Sequence, residues 1–309
     1  MDDSNRGRGA FIYMTILTSS LFIIFVVSYF FVDISGLVQG DKTKPGLIEA
    51  ASYLWIMLNL VFLIWNSSLV KGVKRTMLAF VITTLIAFVA EGLGVHYGLV
   101  FGHYHYSDLL GYKIWAIPII VCLAWEPILY AAYCITEFLI PSVVKRSSPL
   151  QHRILSYVVL ALIGGIATTA WDLMVDPFAV NQGWWVWEEG GIYMQSIAGG
   201  VPFSNFFGWW KVAFVCHLVY QIILDTGPAP HRSKYITVYG PMMLYINLFI
   251  GAIANTLVIL KRTDVFMIGL MCMGTLIFIM LARILLSPGL NLSLEKQQAA
   301  FIHTSADME

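Results

Sequence analysis

Long apolar runs separated by short polar stretches set the pattern of this chain. Runs of about 20 apolar residues, the length that crosses the hydrocarbon core of a bilayer, fall at 11–37, 48–70, 77–98, 113–140, 153–179, 207–225, 238–260 and 264–287. The pattern predicts eight membrane-spanning helices: an all-α, polytopic helix bundle forming one domain over residues 1–286. The first and fourth runs are long enough to tilt. Residues 287–309, SPGLNLSLEKQQAAFIHTSADME, are polar and read as a frayed cytoplasmic tail. The run at 11–37 is too long for a signal-peptide core and shows no clear cleavage site, so it reads as a retained first helix. No internal repeat, direct or inverted, is visible.

Lysine and arginine set the expected orientation. With the N-terminus inside, twelve of the eighteen, among them Lys71, Lys74, Arg75, Lys145 and Arg146, fall on inner segments, and six, such as Lys42, Lys113 and Lys211, on outer ones. The positive-inside bias then puts both termini in the cytoplasm. In this frame Glu91 lies in the outer half of the 77–98 run, and Asp172 and Asp176 in the outer half of 153–179. The two loops richest in aromatics and histidines, 99–111 and 181–210, are also outer. Polar residues from distant parts of the chain are thus expected to gather near one membrane face.

Composition supports this frame. Of 309 residues 59% are hydrophobic and only 12% charged, and the mean hydropathy is +0.77. A multi-pass protein of the cell membrane follows. The formal net charge is zero, which gives no sign of a nucleic-acid partner. The four cysteines, Cys122, Cys134, Cys216 and Cys272, sit in apolar runs without a CxxC pair, so neither a disulfide framework nor a zinc site is expected.

The acids carry the candidate chemistry. Asp172 and Asp176 in TTAWDLMVDP are four residues apart and share a helix face. Their stripe continues through Thr168, Gly165 and Ala161; the 77–98 run has a matching stripe of Thr84, Ala87, Glu91, Gly94 and Gly98. Small residues let helices approach closely in lipid, so these two helices are expected to pack together with Glu91 and the aspartates converging. A carboxylate in a bilayer costs a few kcal/mol or more and faces a partner or a cavity. The structural reading of Asp176, beside Pro177 at a helix end, is a bond to loop backbone. Burial and a like-charged neighbour both favour the neutral acid, so at least one carboxyl is expected to keep a proton it can donate. Glu126 in AWEPILY is a further intramembrane acid, beside a helix-weakening proline. It is read equally as a hydrogen-bond partner of a neighbouring Trp or Tyr.

The seven histidines form none of the HxxxH or HxxHH boxes of two-iron membrane oxygenases. His103 and His105 have poor helical ligand spacing; His96 and His217 could ligate a haem from two helices, but intramembrane histidines more often hydrogen-bond, so no metal or haem is expected. Aromatics crowd 184–210 beyond the needs of an interfacial belt. Aromatic faces stabilise cations by about 0.5–2 kcal/mol each. Acids beside aromatics in a dry pocket suit carbocation chemistry: the acid protonates an alkene and the rings steady the cation. Asn247, Gly251 and Asn255, and likewise Ser52 and Asn59, form stripes that interhelical hydrogen bonds explain.

Three stretches, EGLGVHYGLVFGHYHYSDLLGYKIWAIPI (91–119), TAWDLMVDPFAVNQGWWVW (169–187) and GVPFSNFFGWW (200–210), together resemble the integral-membrane carotenoid 1,2-hydratases. The resemblance covers roughly 91–210 in order and is specific as a set. It departs at MQSIAG (194–199), which is longer than the family's turn, and at His96, which stands where a small hydroxyl residue is expected; both bear on substrate choice. The resemblance implies hydration of the terminal C1=C2 double bond of an acyclic, lycopene-like carotenoid end, with water as the second substrate and no cofactor. Protonation at C2 gives a tertiary cation at C1, and water captures it. Association with other carotenoid enzymes is implied too. Carried onto this chain, Asp172 or Glu91 donates the proton, the other holds water or the proton together with Asp176, and Asn205 binds water or orients an acid. Tyr104, Tyr106, Trp185 and Trp187 line the pocket, joined by His103, Glu126 and Trp209.

Rival readings remain at this level. A membrane carotenoid cyclase uses the same acid, with an internal alkene capturing the cation. An aspartate-rich prenyltransferase needs two magnesium-binding motifs, and only DLMVD qualifies here. A proton-coupled transporter would use the acids as a relay, but the inverted repeats common in transporters are missing.

Overall fold

The computed structural model describes residues 46–140, 149–188, 200–224 and 235–286. The expected span at 11–37, the tail from 287 and the MQSIAG stretch lie outside the described residues. Among the described residues seven helices are long and apolar enough to cross a membrane, matching the other seven runs.

Helices α1 (Leu47–Lys71) and α2 (Val73–Tyr97) form a hairpin that turns on Gly72 alone. Its φ of 88° is open to glycine and strained for other residues. Ser67 and Thr76 hydrogen-bond across the turn at 2.9 Å, and α2 therefore begins four residues before the apolar run at 77. After α2 come strand β1 (Tyr104–Tyr106), a 3₁₀ turn (Asp108–Leu110) and a hairpin of β2 (Lys113–Ile114) and β3 (Ile117–Pro118). Helix α3 covers Ile119–Leu139. The run at 113–140 is thus not one helix. Its first six residues form the hairpin, in register Ile114↔Ile117, with Trp115 and Ala116 left-handed at the turn (φ 52° and 62°). Hydropathy alone does not distinguish an apolar hairpin from the first turns of an apolar helix.

Helix α4 (Leu150–Gln182) runs on through Pro177 and ends at Gly183. Strand β4 (Trp185–Trp187) and helix α5 (Phe203–Leu224) follow. Helix α6 (Gly240–Ala254) is extended at both ends by π-helical turns, Tyr235–Tyr239 and Asn255–Ile259. Helices α7 (Thr263–Gly269) and α8 (Thr275–Leu286) are joined by a π turn, Leu270–Gly274, into the last span.

α3 is the central helix, packed against α1, α2, α4 and α6, and α5 lies along α4 and against α2. The expected direct packing of the two small-residue stripes does not occur: α5 and α3 stand between α2 and α4. Large side chains fill each stripe instead. On α4, Gly164 receives the His217 ring and Gly165 the Trp210 indole, both from α5. On α2, Gly94 receives Tyr104 and Phe101, and Gly92 receives Trp115. His217 Nε2 and Thr168 Oγ1 lie 3.0 Å apart and tie α4 to α5. The polar stripes of α1 and α6 make an interhelical hydrogen bond, and they make it to each other. Asn247 Nδ2 donates to Asn59 Oδ1 at 2.8 Å, and Gly251 makes room for Trp55. Leu85, Val89, Ile166, Ile222 and Phe278 point outward, the face a bilayer covers. All four cysteines are free.

Candidate functional site

The site begins with a two-stranded ribbon that neither loop forms alone. β1 pairs with β4 antiparallel, Tyr104 opposite Trp187 and Tyr106 opposite Trp185. Side chains alternate across a strand, so Tyr104 and Tyr106 turn inward, at 3% and 8% exposure, while His105 faces out. Trp187 packs on Tyr104 at 5.5 Å and Trp185 edge-on to Tyr106 at 5.8 Å. Trp187 Nε1 donates to the Phe101 carbonyl at 3.1 Å. Trp184, just before β4, donates its indole N–H to Glu49 Oε1 at 2.9 Å. Glu49 also accepts the Gly46 backbone N–H at the start of α1.

Glu91, on the last turns of α2, is the ribbon's inward anchor. The Tyr106 hydroxyl donates to its Oε2 at 2.7 Å, the Tyr104 hydroxyl donates to the same oxygen, and Trp125 of α3 donates to Oε1 at 3.1 Å. Three donors hold one buried carboxyl in a fixed orientation. Burial pushes both tyrosine pKa values well up, and the Glu91 carboxylate beside them pushes further.

Across the site Asp172 and Asp176 share one amide. Asn205, on the first turn of α5, donates Nδ2–H to Asp172 Oδ2 at 3.3 Å and to Asp176 Oδ2. α5 starts four residues before the apolar run at 207, directly after Pro202, a residue preferred at helix starts; this places Asn205 on the helix. Asp176 does not cap a helix end. It is 2% exposed inside α4, because the helix passes through Pro177. That proline lacks an N–H and leaves the Leu173 carbonyl, four residues back, without its helical donor. Asp172 is fully buried and its Oδ1 has no hydrogen-bond partner. Among the described residues neither aspartate nor Glu91 has an ion-pair partner.

Two cavities meet here. The smaller, about 270 Å³ including its open side, is lined by Glu91, Tyr104, Tyr106, Asp176, Trp185, Trp187, Asn205 and Trp209, with Phe101 and Val121. The larger, about 780 Å³, is walled mainly by apolar and aromatic side chains of α1, α3 and α4, including Trp55, Ile120, Ala124, Trp171, Val175 and Phe178, with Glu49 at its edge. Val121, Trp185 and Trp209 line both. An acid-bearing chamber therefore adjoins a greasy one across a wall of two tryptophans and a valine.

Of the residues singled out in the sequence, Glu91, Asp176, Asn205, Tyr104, Tyr106, Trp185, Trp187 and Trp209 line the smaller cavity. Asp172 sits one turn behind Asp176 and lines neither. His103 lines neither cavity; its Nδ1 is 3.8 Å from Glu188, which also meets His105 Nδ1 at 2.7 Å. Glu126 is deeper, bound by Thr83 at 2.7 Å, Thr84 at 2.9 Å and Tyr220 at 3.0 Å; it lines neither cavity. Sequence reading missed Trp125, Phe101 and the Glu49–Trp184 bond. Trp125 lies in the same AWEP stretch as Glu126.

The fold and site define a polytopic membrane protein with an aromatic-walled acid chamber beside an apolar one. Residues 51–280 match the sequence profile of the carotenoid biosynthesis protein family, and the chain belongs to that family. It is 28% identical over 162 residues to bisanhydrobacterioruberin hydratase of Haloarcula japonica, a match covering 52% of this chain and 50% of that one. The chain thus spans about half the length of the curated relative it matches. No solved structure matches it.

Proposed function

We propose that this protein adds water across the terminal C1=C2 double bond of an acyclic carotenoid end, giving a tertiary alcohol. The observation that carries the reading is the pair of adjoining cavities: Glu91 and Asp176 face one small chamber that shares Val121, Trp185 and Trp209 with an apolar cavity suited to an isoprenoid chain. Family membership and the hydratase relative support the substrate class.

In this reading the polyene lies in the larger cavity and its dimethyl end reaches past Trp185 and Trp209. Asp172 and Asp176 share one amide with no ion-pair partner among the described residues, and in this reading the pair holds one shared proton. Asp176 is assigned the transfer, because its carboxyl lines the chamber, with Asp172 as its partner in the pair. The proton goes to C2 and the alkene's electron pair forms the new C–H bond, leaving the positive charge on C1. Water bonds to C1 through oxygen, and its surplus proton returns to the carboxylates. The sum is one H and one OH added, with no redox change. Glu91, steadied by three donors, faces the cation electrostatically, and Asn205 keeps the aspartates aligned.

The test is co-expression with lycopene synthesis in bacteria, followed by mass spectrometry of the pigments. A gain of about 18 mass units per end, abolished by Asp176→Asn and by Glu91→Gln, is expected for this acid chemistry. An unchanged mass with a shifted absorption maximum would assign cyclisation instead. Unaltered pigment, with the protein present in the membrane, would overturn lycopene as the substrate.

A further inference from the structure

Trp125 enters the steps above only as one of the three donors to Glu91, yet its geometry is unusual. It is 1% exposed. Its ring lies against Trp209 with centroids 3.6 Å apart and planes at 14°. Aromatic pairs prefer offset or edge-to-face arrangements at about 4.5–7 Å, because two π faces repel. This pair is closer and flatter than that preference. At its other end Trp125 donates Nε1–H to Glu91 Oε1 at 3.1 Å, and a hydrogen bond to a carboxyl pushes electron density back onto the indole. Trp209, in turn, lines both cavities, while Trp125 lines only the larger.

We propose that Trp125 is a positioning residue that turns Trp209 into a reinforced cation-binding face at the mouth of the acid chamber. This rests on the proposed function, since it needs a reaction that forms a cation there. One face of Trp209 is covered by Trp125, so the chamber meets its other face and edge. Two stacked indoles, the rear one tied to Glu91, present their quadrupoles to that side together. Their mutual repulsion is present before reaction and is offset when positive charge develops at C1. The arrangement favours the transition state over the bound alkene, which is the differential that accelerates a reaction. Trp125 itself touches no reacting atom.

The test is a binding ratio on the full chain in lipid nanodiscs. The probes are an acyclic isoprenoid chain ending in a protonated dimethylamine, which mimics the C1 cation, and the matching hydrocarbon ending in CH(CH₃)₂. Trp125→Phe keeps a ring but removes the N–H and part of the overlap. The expected result is an ammonium-to-hydrocarbon affinity ratio lowered about tenfold, with the hydrocarbon alone bound within about twofold of wild type. In turnover the same variant lowers kcat with little change in KM. Equal weakening of both probes would mean a purely structural role and overturn the proposal, as would an unchanged ratio. Where Trp125→Phe does not accumulate in the membrane, Trp125→Tyr gives the same comparison. Failure of the hydratase reading shows separately, in the pigments made by the wild type, which the binding ratio does not use.

Discussion

At the scale of single residues the site is built from two differently furnished carboxyl groups. Glu91 accepts from three neutral donors, whereas Asp172 and Asp176 compete for one amide and leave Asp172 Oδ1 bare. Removing a donor from Glu91 should therefore loosen it without abolishing the chemistry. Tyr106→Phe is expected to cost about 2 kcal/mol of stability, in the range of a hydrogen bond to a charged group, and to leave measurable activity; unfolding in mixed detergent checks the first and pigment analysis the second. The tyrosines also give a pH signature. Their folded pKa values are raised by burial and by Glu91. The unfolded chain ionises them near pH 10 while the folded one keeps them neutral. Stability is full below that pH and falls above it by about 1.4 kcal/mol per pH unit for each tyrosine, until the folded pKa is reached. The double variant Tyr104→Phe, Tyr106→Phe should show a shallower alkaline loss in the same unfolding measurement.

Among elements, α5 approaches the loop after α2 backbone to backbone. A Cβ on Gly208 would lie 2.4 Å from the Val100 carbonyl oxygen, a backbone atom with no rotamer to give. Gly208→Ala should destabilise by about 1–3 kcal/mol, as overpacking does, and shift Phe101 and the ribbon beyond it. A fall in the denaturation midpoint together with reduced activity checks this. The helices were legible in the sequence because apolar runs of spanning length have few alternatives in a membrane. The acids and most of the aromatic lining were legible because ionisable residues in such runs are rare. The ribbon was not, although YHY and WVW each alternate at strand period; three-residue strands carry too little pattern, and their pairing partners lie about 80 positions apart. The packing of the small-residue stripes was misjudged for a physical reason. A stripe of glycines says that something bulky or close fits there, and on α2 and α4 that something is Tyr104, His217 and Trp210 rather than another helix backbone. Glu126 and His103 were chosen by residue type, and only the fold distinguishes a carboxyl already satisfied by three hydroxyls from one facing open space.

For the whole molecule, the larger cavity joins helices from both halves of the chain, α1, α3 and α4 with Ala252 of α6, so filling it should affect substrate entry without touching the acids. Ala124→Phe is expected to raise KM for a full-length carotenoid about tenfold while leaving a short isoprenoid mimic almost unaffected, one lost methylene-scale fit being worth about 1–3 kcal/mol; paired kinetics on the two substrates check it.

The acid chamber has a further consequence for order of events. Glu91 and Asp176 face one chamber, which adjoins the larger cavity across Val121, Trp185 and Trp209, and a carotenoid is a rod with two ends. On the proposed chemistry a rod with two like ends cannot present both in one visit. It must back out, reverse and enter again, competing with fresh substrate each time. The enzyme would therefore be distributive rather than processive. In a time course the singly modified, asymmetric pigment should rise first and fall only as the parent is exhausted.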